Sequence, residues 1–397
     1  MNAVIFSAWL ILVTLVGVSN ALAGFLDSNP VGFASLNAYG QNGTTGGGTS
    51  APVVVRSAKE FLNAAERLEI KNKKLRDESP RVILVASDIN LSELTNVTGN
   101  STGKDVGIVR VRPHTTIYST NGATLSRGTL EIHGAWNIIL RNLKFRGLWE
   151  FDQTGKYDKL GWDYVRITDQ GENRAHHVWV DHCDFGKVYD GALDIVHGSD
   201  CVTVSWCKFS GDEHGPQKKV TLIGHSSGPT AAAADRGRLN VTLHHNWYQN
   251  IEDRVPRARF GNIHAFNNVI EGAQYATISV MGAVTLVENC LYRDVLCATS
   301  FSHAKDSALK EKGGTICIAN SRYEIPRDPK TATKPEEKFE QENNFKSNIE
   351  RAKLEFNAAT GFNWTNRSVL PYPYQPDALE SFPVLVKQHA GVSNGSF

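Results

Sequence analysis

The sequence predicts an all-β fold, a parallel β-helix in which short strands of successive coils stack on one another, and three observations lead there. A nine-residue pattern recurs at residues 137–145, 177–185, 201–209, 240–248, 262–270 and 284–292, as in Asn240-Val-Thr-Leu-His-His-Asn-Trp-Tyr248. The last three copies start 22 residues apart and the others 24, 39 and 40 apart, which leaves room for inserted loops. Each copy is apolar, β-branched and only a few residues long, as strands are, and a short period of this kind means a solenoid. A leucine-rich repeat has a similar period but needs a repeated Leu framework that is absent here.

Equivalent residues of successive coils should stack at the strand spacing of about 4.8 Å. The seventh position of the pattern holds Leu143, Cys183, Cys207, Asn246, Asn268 and Cys290. Stacked Asn side chains can hydrogen-bond from coil to coil as a ladder. Cys183 and Cys207 would fall on adjacent coils, either within disulfide range or simply as small buried residues. Before the repeats, Ser57-Ala-Lys-Glu60 reads as a capping box, followed by Phe61, Leu62, Ala65 and Leu68 at helical spacing. That helix should cap the open end of the solenoid and cover its unpaired edge. A strand, Val82-Ile-Leu-Val85, follows. After Cys317 the period is lost: residues 334–359 read as a charged helix on the outside of the coil, and residues 371–383 as a loop-rich tail.

The chain has 397 residues, 41% hydrophobic and 21% charged, with a formal net charge of +1. This excludes a disordered chain and gives no global pull toward nucleic acid or membrane, and a monomer is expected. Residues 1–23 read as a signal peptide, an apolar run from Ala3 to Val18 followed by Ala21-Leu22-Ala23; the run is shorter than the roughly 20 residues a membrane span needs. Residues 24–397 then form one secreted, extracellular domain. Sequons at Asn42, Asn90, Asn96, Asn100, Asn240, Asn363, Asn366 and Asn394 agree with glycosylation, and an even count of six Cys with disulfides.

The densest chemical signal is Asn250-Ile-Glu-Asp-Arg254-Val-Pro-Arg257-Ala-Arg259-Phe-Gly261, between two repeats. Pro256 fixes a bend, and strand alternation sends Arg257 and Arg259 to the same side. Arg forks suit carboxylates. Lys218 and Lys219, read as part of the preceding long turn, could join the patch. On the acidic side, Asp190 and Asp194 are four apart, Asp163 precedes a strand at residues 164–168, and stacked coils could bring all three onto one face. Hard oxygen ligands without Cys or His suit Ca²⁺. A Ca²⁺ beside an arginine and lysine patch describes a site for an acidic polysaccharide.

These stretches resemble the pectate lyases of polysaccharide lyase family 1. The matching motifs are Val178-Trp-Val-Asp-His182, Arg254-Val-Pro-Arg-Ala-Arg-Phe-Gly261, Trp162-Asp163 before a strand, and Gly40-Gln-Asn-Gly-Thr-Thr-Gly-Gly47; the resemblance runs from about Gly32 to near the C-terminus. It implies a right-handed parallel β-helix with a groove on one face, and cleavage of polygalacturonate, demethylated pectin, by calcium-assisted β-elimination. By position it implies that Arg254 is the catalytic base, that Lys219 and Arg259 contact substrate carboxylates, and that Asp163, Asp190 and Asp194 hold the calcium. Some relatives place a further acidic ligand where this chain has Gly161, so calcium is expected to bind weakly until substrate completes its shell. Arg257 is expected in a structural salt bridge, and Asp181 and His182 as a hydrogen-bonded core pair.

Elimination needs such residues because the C5 hydrogen is alpha to a carboxylate, and its removal adds charge to a group already negative. A guanidinium base must first lose a proton, with a reference pKa above about 12. Like-charged neighbours favour that loss, so an alkaline optimum is expected; hydroxide acting beside a charged Arg254 is the alternative. A pectin lyase would need no acidic cluster, a polygalacturonase would need a carboxylate acid/base set that is not found, and a binding protein would not need the complete arginine and aspartate set.

Overall fold

Each copy of the repeat bends in its middle and supplies two strands rather than one. Residues 177–185 give His176–Asp181 and Asp184–Phe185, and residues 284–292 open Val284–Glu288 and Leu291–Ser300. The bend lies at the sixth position, where Asn142, His182, Trp206, His245, Asn267 and Asn289 all take a left-handed backbone with φ between 48° and 55°. Asn and His are among the non-glycine residues that tolerate this region. The computed structural model describes residues 29–66, 78–94, 107–149, 162–169, 173–212, 215–301, 311–326 and 370–393. The signal segment, Leu68, Gly161, the stretch 334–359 and the sequons at Asn96, Asn100, Asn363, Asn366 and Asn394 lie outside these residues.

The strands pair in parallel to form a β-helix. One sheet of ten strands runs from Pro52–Val55 to Thr315–Ala319, and a second of fifteen strands folds back on itself through the long strand Val269–Val280. Within the ten-stranded sheet, Ile138, Val178, Val202, Val241 and Ile263 pair in register from coil to coil and are fully buried. Each such side chain contributes about 1.5–3 kcal/mol by leaving water. The outward residues of this sheet are also covered, which explains why its strands read as nearly continuous apolar runs rather than alternating ones. Ala34 packs on Ile139 and Trp179, and Phe33 lies with Leu286, Leu370 and Tyr372.

The seventh position forms the expected ladder. Asn246 donates from its backbone N–H and from Nδ2 to Asn268 Oδ1, at 3.0 and 3.1 Å, and Cys207 N–H donates to Asn246 Oδ1 at 2.9 Å. Cys183 and Cys207 extend this ladder as thiols: Cys183 N–H donates to Cys207 Sγ at 3.4 Å, while the Cys207 thiol donates to the Val180 carbonyl at 3.6 Å. This corrects the disulfide expectation, because the described residues include all six cysteines and form no disulfide. Two positions on, the rings of Phe145, Phe185, Phe209 and Tyr248 stack at 4.7, 4.8 and 5.0 Å, the strand spacing itself. The Asn240 sequon is also part of a ladder: Asn240 Nδ2 donates to Asp200 Oδ1 at 2.8 Å and its Oδ1 accepts from Asn262.

The ends follow local signals. Ser57 caps the helix Ala58–Ala65, accepting from Glu60 N–H at 3.3 Å, while Glu60 Oε2 accepts from Arg56 N–H at 2.7 Å. Phe61 and Leu62 of this helix join the main core at the end of the coil where Val55, Ile83 and Val85 lie. Two short helices went unpredicted. Pro229–Asp235 lies in the loop after Gln217–Ile223, and Phe382–His389 replaces the end of the loop-rich tail; Phe382 and Val386 pack on Val269 and Leu291. The stretch expected as a loop-rich tail ends at Pro383, but proline is favoured in the first helical turn.

Replacing Asn268 by Ala removes the acceptor of both Asn246 donors inside the coil. The variant should lose about 2–4 kcal/mol of stability, one to two unmade buried hydrogen bonds, read as a lower urea midpoint.

Candidate active site

One face of the fifteen-stranded sheet carries the chemistry, through the strands Gly128–His133, Val165–Thr168, Gly191–Val196, Gln217–Ile223 and Arg257–Arg259. Register sets a column across five coils: Glu131 pairs with Arg166, Arg166 with Asp194, Asp194 with Leu222, and Leu222 with Arg257. Arg166 is thus held between two carboxylates about one strand spacing away on either side. A second column joins Gly191, Lys219 and Asp253, so Lys219 belongs to a strand and not to a turn.

Asp163, Asp190, Asp194 and Arg254 all line one groove of about 780 Å³. Asp163, buried just ahead of Val165–Thr168, accepts from Gly191 N–H on Oδ1 at 2.8 Å and from Arg166 Nη2 on Oδ2 at 2.7 Å. Asp194 Oδ1 accepts from Leu222 N–H at 3.4 Å. Asp190 is the more exposed carboxylate, with Lys219 Nζ at 3.2 Å and Arg254 Nη1 at 3.7 Å. Gly191 is required between them: a Cβ there would stand 2.3 Å from Asp194 Oδ1 and 2.7 Å from Asp163 Oδ1. Arg254 has a left-handed backbone with φ of 70°, a conformation uncommon outside glycine and enriched at functional sites. Its backbone N–H donates to Asp253 Oδ1 at 2.7 Å, and its carbonyl accepts from Thr221 N–H at 2.8 Å.

The electrostatics are unbalanced toward negative charge. Burial pushes the Asp163 carboxyl above its ordinary pKa against the pull of Arg166, and Asp190 adds to the rise. Burial and then Asp163 push Asp194 well above its ordinary value, with Arg254 opposing. Burial works against the Arg166 charge, but Asp163 and Glu131 outweigh it and hold that guanidinium above its usual pKa. Among the described residues, five carboxylates line the groove against four guanidiniums. The donor set is hard oxygen, so the residues fit a hard cation such as Ca²⁺. The carboxylates do not close into a ready-made cage among the described residues, so a cation held here shares its shell with water or ligand.

Arg259 departs from the sequence expectation. It is not part of the groove lining. Its Nε donates to Glu311 Oε1 at 2.5 Å and its Nη1 to the Gly224 carbonyl at 2.9 Å, and its side chain is 8% exposed. Arg257 Nη2 donates to Glu311 Oε2 at 2.6 Å, the structural salt bridge expected of it. The two arginines outweigh the effect of burial and hold the Glu311 carboxyl below its ordinary pKa. Asp181 and His182 form the expected core pair, 2.8 Å apart, with Arg141 Nε also 2.9 Å from Asp181 Oδ2.

Sequence reasoning missed Glu131 and Arg166 as members of the site. The available signal was a lone charge inside a short apolar strand, Leu130-Glu-Ile132 and Val165-Arg-Ile167. Period-2 alternation points such a residue away from the core.

A family profile described as pectate lyase matches residues 14–394. The chain belongs to the pectate lyase family, and is a polysaccharide lyase. It is 30% identical to pectate lyase B of Paenibacillus amylolyticus over 313 residues, covering 63% of this chain and 75% of that one. It is 35% identical to the pectate trisaccharide-lyase of Thermotoga maritima over 265 residues, 66% of this chain and 63% of that one. The pectate lyase pelN structure from Paenibacillus sp. 0602 superposes with a TM-score of 0.68 at 24% identity, covering 93% and 96% of the two chains. A pectate lyase from Bacillus sp. N165, solved in complex with trigalacturonate, gives 0.63 at 21% identity, covering 91% and 98%. These structures share the parallel β-helix of this chain.

Changing Glu311 to Gln leaves two buried guanidiniums without their carboxylate. The variant should be destabilised by about 3–5 kcal/mol, the usual effect of breaking a buried pair from one side. Calorimetry reads this as a lower Tm.

Proposed function

We propose that this chain is a secreted pectate lyase that cleaves (1→4)-α-D-galacturonan by calcium-assisted β-elimination and leaves 4,5-unsaturated oligogalacturonides. The observation that carries the reading is the convergence of Asp163, Asp190, Asp194 and Arg254 on one open groove, with Lys219 Nζ 3.2 Å from Asp190 beside it. The cluster of Asp163, Asp190 and Asp194 would repel a polyanion locally, and hard oxygen donors so clustered are what a divalent cation neutralises. Asp163, Asp190 and Asp194 would hold calcium; when bound, it supplies positive charge beside the substrate carboxylate.

The protein's own part is then proton transfer and charge stabilisation. Arg254, set on its strained backbone beside Asp190, accepts the C5 proton. The C5–H electron pair becomes the C4–C5 double bond, and the C4–O bond breaks toward the leaving sugar oxygen. Lys219, an ammonium on the neighbouring coil, stabilises the negative charge that grows on the carboxylate in the transition state. Arg259 is committed to Glu311 and Gly224, so the carboxylate contact rests with Lys219. The trigalacturonate held by the Bacillus relative supports this substrate class, and the apolar run at residues 3–18 supports secretion.

Purified protein on polygalacturonate should show rising ultraviolet absorbance of unsaturated uronate that a chelator stops. New reducing ends without that absorbance would replace elimination by hydrolysis. Arg254→Ala should cut kcat by about 10²–10⁴-fold, the usual worth of a general base, with an unchanged melting curve. Activity should climb from neutral to alkaline pH, since loss of a proton from the guanidinium, or from water to give hydroxide, supplies more base there; an optimum near pH 5 would reject Arg254 as base.

Asp194→Asn tests the acidic cluster through stability. Asp163 and Asp194 bind protons more tightly in the folded chain than in the unfolded one. Without metal, stability therefore falls as pH rises through their raised pKa values and is greater below them. In the presence of chelator near pH 8, Asp194→Asn should raise Tm by roughly 2 °C while abolishing cleavage and the gain in Tm that calcium gives the wild type.

A further inference from the structure

The groove continues past the reacting centre into chemistry that elimination does not use. From Asp194 the chain runs three residues on to His197, roughly 10 Å along extended backbone. Ile195 pairs with Ile223, so His197 and His225, each two residues further, fall at equivalent places on adjacent coils. Both are exposed and both line the groove, with ring centroids 4.7 Å apart and planes at 35°. Thr168 Oγ1 lies 2.9 Å from His197 Nδ1 and fixes that ring.

Arg238 lines the same end of the groove, three residues past the helix Pro229–Asp235. It is reached across Gly198, where a Cβ would stand 3.0 Å from Arg238 Nη1. Nη1 donates to the Ala234 carbonyl at 3.1 Å, which fixes the side chain and leaves most of its five-donor fork for a ligand. Two carboxylates lie near Arg238 and feel its charge, Asp235, whose Oδ1 accepts from Gly198 N–H, and Asp169, whose Oδ1 accepts from Ala175 N–H, both at 2.7 Å.

We propose that His197, His225 and Arg238 form a distal subsite for a further uronate of the same polymer. The imidazole pair lies under the C–H face of the pyranose, and the Arg238 fork takes its carboxylate. A groove of about 780 Å³ lies in the upper part of the range of roughly 300–1,000 Å³ for ligand sites. This proposal rests on the reading of the groove as a galacturonan site. Its consequence is a preference for long chains that is separate from the chemistry at Arg254.

The test compares hexagalacturonate with trigalacturonate on the wild type, Arg238→Gln and His225→Ala. His225 is exposed, so its variant reads the subsite even where Arg238→Gln fails to fold. In each folded variant the ratio of kcat/KM for hexamer to that for trimer should fall about tenfold, the scale of one charge-assisted contact. An unchanged ratio, however low both values become, overturns the proposal, because structural damage lowers them together. Calorimetric binding of hexagalacturonate separates this proposal from the lyase reading. If the wild type cuts nothing yet binds the hexamer, and both variants lose affinity, the lyase reading falls and the subsite stands. If the variants bind as the wild type does, the subsite falls.

Discussion

Everything at the site depends on parallel register between coils. A residue placed outward on one strand has its register partners about 4.8 Å away on the strands above and below. Groups remote in sequence therefore meet with no loop to position them. Glu131, Arg166 and Asp194 come from three coils and form one column because their strands pair without a slip. A slip of one residue would turn every member of the column into the core. The ladder of Asn246 and Asn268 and the stacked Phe145, Phe185 and Phe209 act on that register from inside the coil. Their geometry is satisfied at one alignment, so the interior holds the charges outside in place.

The same register creates the electrostatic problem that the site turns to use. Asp163 and Asp194 are brought together around Gly191, where no side chain separates them. Arg166 offsets part of the repulsion, and burial leaves both carboxyls with raised pKa values. Replacing these charges with neutral groups would relieve the folded state, so their presence is a local conflict that the proposed cation would resolve. Sites that break the local rules of folding in this way are where function is expected.

The fold was legible because its signal is repetition. The pattern from residue 137 to residue 292 placed the coils and the Asn ladder, and the capping box at Ser57–Glu60 placed the helix Ala58–Ala65. What sequence could not show was how partners are chosen at equal spacing. Cys183 and Cys207 occupy neighbouring coils, as expected, but their sulfurs serve as hydrogen-bonding members of a ladder. Arg257 and Arg259 point to one side, as alternation requires, yet their partner Glu311 lies more than fifty residues away, beyond the clear repeats. No spacing rule reaches that far. Glu131 and Arg166 were hidden for the opposite reason, since each is one charge in a strand whose other residues shout core. The helix Phe382–His389 begins inside the stretch expected as a loop-rich tail, with Pro383 in its first turn.

The arginine motif shows how rigid and reactive groups can share one short stretch. Arg257 and Arg259 lie in a regular strand paired on both sides, and Glu311 with the Gly224 carbonyl fixes their side chains. Arg254, three residues earlier, lies before that strand on a left-handed backbone held by Asp253 and Thr221. Its side chain, 17% exposed, reaches the groove, where Asp190 approaches at 3.7 Å and Asp194 also feels its charge. On the proposed reading Arg254 is the base, and a base must be placed accurately but must not be spent on a structural bond. Anchoring the backbone on both sides while committing the neighbouring guanidiniums to Glu311 meets both needs. The buried arginines then serve as the foundation for the exposed one, which is why three similar side chains within six residues carry such different tasks.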